Sequence, residues 1–258
     1  KGFKRRLLMF MEKLSCFFAT DIISVSYGVK KIVEEQITSK NVIVVGSGSS
    51  NGIDTKKFII EKYSSFELKM SLGIQEEDYV FGFVGRLVKD KGINELVNVF
   101  DKLNANYKNI KLILVGPYED ELDPLNSLTK KKIESNNNIV SVGFQRDVRS
   151  FLGVMNLFVF PSYREGFGIV LMEAGAMQIP CISSNITGCN EIILEKVTGL
   201  LIPSKNKDAL YAKMEYSILN KLEMKEMGIN AEQSIKKRFE QRSVWSQYLK
   251  EYNKIYNS

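Results

Sequence analysis

Residues 157–180 read LFVFPSYREGFGIVLMEAGAMQIP, and this stretch decides the fold of the chain. The run 157–160 is short and apolar, as expected of a buried strand, and it stops at Pro161. A polar loop with two glycines follows, and residues 169–177 then show helical spacing with strong helix formers. The stretch therefore predicts a strand, a glycine loop and a helix.

The start of the predicted helix is suited to binding an anion. The first amides of a helix have no partner within it, and the helix dipole adds partial positive charge there. Gly166 and Gly168 let the backbone approach a ligand closely, so a phosphate would be stabilised at this point. Glu165 and Glu173 flank the site, and carboxylates accept hydrogen bonds from paired sugar hydroxyls. The pattern favours a nucleotide sugar; the alternative is a solvated glutamate pair on a helix edge.

Strands and helices alternate along the rest of the chain. Apolar runs predict strands at 22–26, 41–45, 80–84, 111–115, 139–142 and 198–203. Helical spacing predicts helices at 1–20, 27–36, 59–72 (with Phe66 and Leu68 inward), 93–103, 122–135, 147–154, from 208 onward and at 242–256. This order indicates a doubly wound parallel sheet, whose ligands bind at the carboxyl ends of the strands. Four loops that follow strands are expected along one edge, at Gly85, Gly116, Gly143 and Ser162.

A second candidate phosphate loop follows the strand predicted at 80–84. Arg86 offers a planar fork of donors, and Lys91 offers a mobile ammonium group. Both side chains would neutralise a diphosphate and the charge that grows on it as a sugar departs. The alternative is a solvated basic turn.

Composition narrows the classes of function. The net charge of +6 fits an anionic partner, but no basic run interleaved with aromatic residues predicts a nucleic-acid surface. The chain contains no histidine, which excludes catalysis by a histidine of this chain. The three scattered cysteines are expected to be reduced thiols of a cytosolic protein. The glycines of residues 46–54 lack the G-x-G-x-x-G spacing, which disfavours an NAD-dependent oxidoreductase.

The motifs resemble those of a known family. Residues 165–173, EGFGIVLME, resemble the Glu-x7-Glu motif of the family-4 retaining glycosyltransferases (glycosyltransferase group 1), which have the GT-B fold. Residues 85–92, GRLVKDKG, resemble the family's GR-(L/F)-x-x-x-KG loop. Residues 48–54, GSSNGID, resemble the hinge between the two domains in the branch that builds bacterial surface glycans. Residues 187–191, TGCNE, resemble the family's G-G-x-x-E, with Cys189 and Asn190 replacing the usual glycine and proline.

This resemblance implies a GT-B type α/β fold with a doubly wound, Rossmann-like donor domain. Residues 1–52 would be a remnant of the N-terminal acceptor domain and the hinge. Residues 53–236 would form the nucleotide-sugar donor-binding domain, and residues 237–258 a C-terminal helix that crosses back to the acceptor domain. Because the chain begins at Lys1 and not at Met, we expect it either to be processed or to be a piece of something longer. With most of the acceptor domain missing, the isolated chain is expected to bind the donor but to turn over poorly.

The resemblance also implies an activity and its residues. A hexose or N-acetylhexosamine would move, with retention, from a nucleoside-diphosphate sugar, most often UDP-linked, to a glycan or polyprenyl-linked acceptor. The setting would be capsule, lipopolysaccharide or other surface polysaccharide biosynthesis. The catalytic residues would be Arg86, Lys91 and Glu165, and the donor would be bound by Gly85, Gly116, Gly143, Phe144, Gly166, Phe167, Gly168, Ile169 and Glu173. No metal and no cofactor is expected.

Two further questions stay open at the level of sequence. The basic amphipathic segment 1–20 predicts either contact with an anionic membrane surface at the inner face of the plasma membrane or an ordinary packed helix of a cytoplasmic protein. The chain as a whole predicts either an enzyme or a non-catalytic nucleotide-sugar-binding module left by loss of the acceptor half.

Overall fold

The computed structural model describes residues 2–63 and 65–257. In chain order its helices and strands are α1 (Gly2–Phe18), β1 (Ile22–Ser24), α2 (Tyr27–Gln36), β2 (Val42–Val44), α3 (Phe66–Ser71), β3 (Tyr79–Val84), α4 (Ile93–Asn106), β4 (Ile110–Val115), α5 (Ser127–Ser135), β5 (Ile139–Gly143), α6 (Arg149–Leu152), β6 (Leu157–Phe160), α7 (Ile169–Ala176), β7 (Cys181–Ser184), β8 (Gly199–Ile202), α8 (Lys207–Leu219), α9 (Lys221–Phe239) and α10 (Gln241–Tyr256). The predicted strands lie within two residues of observed ones; β7 was not predicted.

The strands form two parallel sheets. β1 and β2 pair with each other, and α2 connects them. The larger sheet has the order β5-β4-β3-β6-β7-β8, and all its neighbouring pairs are parallel. β3 is the first strand of this sheet along the chain, and β4 and β5 follow on one side of it. The chain then returns, and β6, β7 and β8 follow on the other side of β3. The crevice outside the carboxyl ends of β3 and β6 is therefore the topological switch point, where ligands of doubly wound sheets bind. The predicted parallel α/β architecture is confirmed.

The central strands of the larger sheet are nearly continuous apolar runs and are buried on both faces, whereas the edge strand β5 is mostly half-buried. β3 and β6 are buried along their whole length, as parallel strands covered by helices are. The rings of Phe83 and Phe160, on these two neighbouring strands, stack with their centres 5.9 Å apart. This packing fixes the ends of β3 and β6 next to each other, and hence the loops that follow them.

Two predicted helices begin later than expected. The region 59–72 starts with a 3-10 turn at Ile60–Lys62, and α3 begins only after Ser65, whose hydroxyl accepts from the Leu68 amide at 3.2 Å. Phe66 is 72% exposed and does not face inward, whereas Leu68 packs against the core. α5 begins at Ser127 and not at 122, because the region before it contains Pro124, which does not fit inside a helix.

α1 follows its predicted bounds, but most of its large apolar side chains are exposed. They include Phe3, Leu7, Phe10, Phe17 and Phe18. The two alternatives given for this segment, contact with an anionic membrane surface and packing as an ordinary helix, both stay predictions. Within the described residues, no helix combines the length and apolarity needed to span a bilayer.

The C-terminal helix α10 packs on the segment that connects β2 to the rest of the chain. The Trp245 indole N–H donates to Asn51 Oδ1 at 2.8 Å, and the Tyr248 hydroxyl donates to the Ser49 carbonyl at 3.0 Å. At the end of α9, the Ile53 amide donates to the Phe239 carbonyl at 2.8 Å. These contacts join residues 46–53 to the C-terminal helices. The three domain boundaries given above stay a prediction.

Gly116 provides a test of how closely the strand-end loops approach one another. Its φ is +143°, and a Cβ at this position would lie 1.9 Å from the Gly85 carbonyl oxygen. We expect Gly116→Ala to lower the free energy of unfolding by about 3 kcal/mol or more, because both the backbone conformation and the contact are unfavourable.

The matched control is Gly73→Ala. Gly73 also has positive φ, +65°, but a Cβ there meets no atom within 4 Å, so we expect a loss of only about 1 kcal/mol. Urea unfolding of both variants provides the measurement. Equal losses would show that the loops after β3 and β4 are not in close contact.

Candidate functional site

The loops that follow β3 and β6 are in direct backbone contact at the switch point. The Tyr163 amide donates to the Asp90 carbonyl at 2.9 Å. Gly92 has φ +74°, and a Cβ there would lie 2.2 Å from the Pro161 carbonyl oxygen. Only glycine fits this position, since any side chain would push the loops apart. The contact places Lys91, just before Gly92, opposite the loop that carries Glu165.

Lys91 and Glu165 form an ion pair. Lys91 Nζ donates to Glu165 Oε1, and the ammonium group also lies 5.3 Å from the centre of the Phe160 ring. The two side chains are 18% and 13% exposed, which makes this the least exposed of the ion pairs among the described residues. A pair this far from water is strong while intact, and removal of one partner would leave a costly unpaired charge. The structure thus places Lys91, predicted to bind a phosphate, next to Glu165, predicted to bind a sugar.

Arg86 is at the same crevice but has a different partner. Its guanidinium Nη1 donates to Glu119 Oε2 at 2.6 Å, and Glu119 follows β4. The Arg86 side chain is 53% exposed and can move without breaking core packing. Each predicted cation of the site is therefore neutralised by a carboxylate, Lys91 by Glu165 and Arg86 by Glu119. Sequence reasoning missed Glu119, which no motif singles out.

The predicted glycines at the ends of β3, β4 and β5 lie side by side. The Gly85 amide donates to the Val115 carbonyl at 2.9 Å, and the Gly116 amide donates to the Gly143 carbonyl at 2.8 Å. Phe144 follows with its side chain 73% exposed. The backbone of these strand ends therefore forms one continuous edge, and Phe144 is free to contact a ligand there.

The start of α7 offers fewer free amides than the sequence suggests. The Gly168 amide donates to the Gly188 carbonyl at 3.1 Å, and the Ile169 amide donates to the Phe167 carbonyl at 3.0 Å. Among the described residues, the amides of Gly166 and Phe167 have no acceptor. Two of the four amides predicted to assist are thus already occupied, the Gly168 amide by the loop containing Gly188 and the Ile169 amide by the turn itself. The amides of Gly166 and Phe167 are therefore the ones available to bind an anion.

Glu173 lies one turn after Ile169, on the same face of α7. Burial of this carboxyl raises its pKa to about 7, from an ordinary value of 4.5. No charged partner offsets that burial within the described chain. A carboxyl in this state is poised to accept hydrogen bonds from a polar ligand, because such bonds would replace the water that it has lost.

The described residues contain no cluster of three or more histidine, cysteine or acidic side chains with metal-binding geometry. The cysteines Cys16, Cys181 and Cys189 are free, and all three are buried, which the sequence did not predict. Burial raises the pKa of the Cys189 thiol to about 12, so this thiol stays protonated and is a poor nucleophile.

Comparison with known proteins shows which family the chain matches. The family described as "Glycosyl transferases group 1" matches residues 64–234. The capsular polysaccharide biosynthesis glycosyltransferase CapM of Staphylococcus aureus is 36% identical over 258 residues, which cover 98% of this chain and 66% of CapM. The Escherichia coli UDP-Gal:alpha-D-GlcNAc-diphosphoundecaprenol alpha-1,3-galactosyltransferase is 26% identical over 161 residues, 62% of this chain and 41% of that enzyme.

Solved structures show the same fold. The structure of Anabaena Alr3699/HepE in complex with UDP superposes on this chain with a TM-score of 0.84 at 22% sequence identity. The superposition covers 98% of this chain and 69% of the Alr3699/HepE chain. The fold is therefore of the GT-B type, as predicted. The chain spans about two thirds of CapM and less of the E. coli relative.

Glu173 allows a prediction about stability and pH. Because its folded pKa, about 7, is above the unfolded value of 4.5, folding favours the protonated form. The free energy of unfolding should fall as the pH rises from 4.5 to 7. Glu173→Gln removes this loss, so we expect the variant to exceed the wild type by roughly 2–3 kcal/mol at pH 8 and by little at pH 5.

Urea unfolding at the two pH values checks this expectation. Glu226→Gln, at an exposed position on α9, is the control and should change little at either pH. If Glu173→Gln had the same effect at pH 5 and pH 8, the carboxyl would not be buried as described.

Proposed function

The chain belongs to the glycosyltransferase group 1 family, and we propose that it transfers a sugar from a UDP-sugar, with retention, to a glycan or lipid-linked acceptor. The donor occupies the crevice between the ends of β3 and β6. The observation that carries this proposal is the pairing of Lys91 with Glu165 there, beside the two unoccupied amides at the start of α7. A cation and free amides suit a diphosphate, and a carboxylate beside them suits the hydroxyls of the attached sugar.

The diphosphate replaces carboxylates as the partner of both cations. Lys91 leaves Glu165 for a phosphate oxygen, and Arg86 leaves Glu119. The amides of Gly166 and Phe167 add two donors, strengthened by the dipole of α7. Each cation is charged and hydrogen-bonded both before and after the exchange, so the cost falls on the carboxylates that lose their partner, Glu165 and Glu119.

Once Lys91 turns to the phosphate, Glu165 is free to accept hydrogen bonds from the sugar. In the transfer step the bond between the anomeric carbon and the diphosphate oxygen breaks, and the acceptor hydroxyl oxygen bonds to that carbon from the same face. The hydroxyl proton passes to the departing phosphate oxygen. Lys91 and Arg86 stabilise the negative charge that develops there, so this scheme needs no nucleophile from the chain.

Glu173 holds the ribose in this scheme. A carboxylate that accepts from the two ribose hydroxyls must be ionised, and its raised pKa means that it is partly protonated near neutral pH. Ribose binding therefore expels a proton from Glu173. The nucleobase lies over the strand-end edge near Gly143 and Phe144.

The acceptor class rests on the relatives. CapM is named for capsular polysaccharide biosynthesis, and the E. coli relative for transfer to a sugar on diphosphoundecaprenol. We infer a similar setting for this chain: surface polysaccharide synthesis in the cytoplasm, at the inner face of the membrane, with the basic helix α1 near the anionic surface. No metal is needed for the proposed transfer.

A second candidate is a nucleotide-sugar-binding module without transferase activity. It would bind the donor in the same crevice, through Lys91 and Arg86, and would differ from the enzyme only in the absence of transfer. Calorimetry with UDP, joined to a transfer assay with radiolabelled UDP-sugar, separates the two functions. Binding with transfer supports the enzyme, and binding without transfer supports the module. Protection against thermal unfolding by NAD but not by UDP would overturn both.

Lys91 is the most direct test of donor binding. Lys91→Ala removes a charge-assisted hydrogen bond to the diphosphate, so we expect it to weaken UDP binding by about 1–3 kcal/mol, measured by calorimetry. Lys89→Ala, on the same loop but exposed, is the control and should bind UDP as the wild type does. Equal affinity of Lys91→Ala and wild type would remove Lys91 from the site.

Removing the charge of Glu119 is expected to strengthen UDP binding, whereas Lys91→Ala weakens it. Since Glu119 competes with the diphosphate for Arg86, Glu119→Gln should tighten UDP binding by about 0.5–1 kcal/mol at low salt, with less effect at high salt. Glu121→Gln, an exposed carboxylate of the same loop, is the control for net charge. Weaker UDP binding by Glu119→Gln would show that Glu119 is itself a ligand contact.

A further inference from the structure

The carboxylate of Glu191 binds the start of a helix that lies far away in the chain. The Tyr27 amide donates to Glu191 Oε2 at 2.7 Å, and the Gly28 amide donates to Glu191 Oε1 at 3.0 Å. Tyr27 and Gly28 are the first two residues of α2, whose third amide is capped by the Ser26 hydroxyl at 3.1 Å. A negative group at this end also interacts favourably with the helix dipole. Glu191 therefore joins the β1-α2-β2 unit to the loop after β7.

The same loop is also fixed to the turn at the start of α7. The Gly188 carbonyl accepts from the Gly168 amide at 3.1 Å. Gly188 has φ +77°, and a Cβ there would lie 2.5 Å from the Gly166 carbonyl oxygen. The two backbones are thus in close contact, and a shift of Gly188 would displace Gly166 and Gly168.

Arg238 holds the loop from the other side. Its guanidinium donates to the Glu191 carbonyl oxygen and, at 3.3 Å, to that of Ile192. The next residue, Phe239, packs its ring edge-on against Phe167, with the centres 5.6 Å apart. The backbone of Glu191 is therefore anchored to α9, and only its carboxylate reaches across to α2.

We propose that Glu191 is a positioning residue, which couples the placement of the β1-α2-β2 unit to the conformation of the turn Glu165–Gly168. Glu191 touches no substrate in this account. Its two hydrogen bonds fix the β1-α2-β2 unit to the loop after β7. That loop in turn contacts the donor-binding turn through the hydrogen bond from the Gly168 amide to the Gly188 carbonyl. The inference rests on the proposed function in that this turn binds the donor diphosphate.

The coupling is tested by removing the contact from each of its two sides. Glu191→Gln keeps one acceptor oxygen but loses the charge. Tyr27→Pro removes one of the two amides that donate to Glu191, the one with the shorter distance, and changes no residue of the loop after β7. Proline is tolerated at the first position of a helix, and Ser26 before it is already extended, with φ −154° and ψ 157°.

Each variant has a matched control. Tyr27→Ala removes the ring and the hydroxyl bond to the Gly46 carbonyl but keeps the amide. Glu35→Gln removes an exposed carboxylate from the other end of α2. In all five proteins, hydrogen exchange of single amides is followed by NMR in the full chain, and slow exchange in β3 shows that the fold is intact.

Without ligand, we expect the Gly168 amide to exchange about tenfold faster or more in both Glu191→Gln and Tyr27→Pro than in the wild type. Both controls should match the wild type at Gly168. Unchanged exchange at Gly168 in Tyr27→Pro, with faster exchange at Gly28, would show that Glu191 only caps a helix and would overturn the proposal.

A second arm adds UDP. In the wild type UDP should slow exchange at Tyr27 and Gly28, which lie on the other side of the contact, and in Glu191→Gln it should not. Equal slowing in both proteins would contradict the coupling. Failure of UDP to bind the wild type in calorimetry would count against the proposed function alone, because the ligand-free arm decides this inference without it.

Discussion

The contact between Lys91 and Glu165 depends on two loops whose backbones touch where the sheet changes direction. β3 and β6 are neighbours only because the chain returns to β3 after building the sheet on its other side. Gly92 then lets the first loop pass against Pro161 with no space for a side chain. The ion pair is thus a product of the topology: residues 74 positions apart meet because a doubly wound sheet has one such crevice.

The energetics of this pair bear on how the site would work. Two charges held largely out of water lose hydration, and their attraction offsets that loss only while both are present. A bound nucleotide sugar would give each side chain a new partner: the diphosphate would bind Lys91, and the sugar hydroxyls would donate to Glu165. Arg86 and Glu119 are more exposed and would exchange partners at lower cost. Without ligand, each cation of the site is therefore balanced by a carboxylate, Lys91 by Glu165 and Arg86 by Glu119.

Sequence patterns predicted the parallel α/β fold well because buried parallel strands are continuous apolar runs, as in β3 and β6. The same patterns wrongly predicted that Phe66 faces inward, because they indicated one helix over 59–72. In the structure the Ser65 hydroxyl caps a helix that begins only at Phe66. The patterns also could not show that Gly188 occupies the Gly168 amide, that Glu119 pairs with Arg86, or that Glu191 reaches α2. Each of these contacts joins distant segments, and no local spacing encodes it.

A crystal structure of the chain with UDP would show whether the crevice between β3 and β6 holds a nucleoside diphosphate. We expect a phosphate oxygen about 3 Å from Lys91 Nζ and from the amide of Gly166 or Phe167, with the Lys91–Glu165 contact broken and the ribose at Glu173. UDP bound elsewhere, with the Lys91–Glu165 pair intact, would show that this crevice is not the donor site.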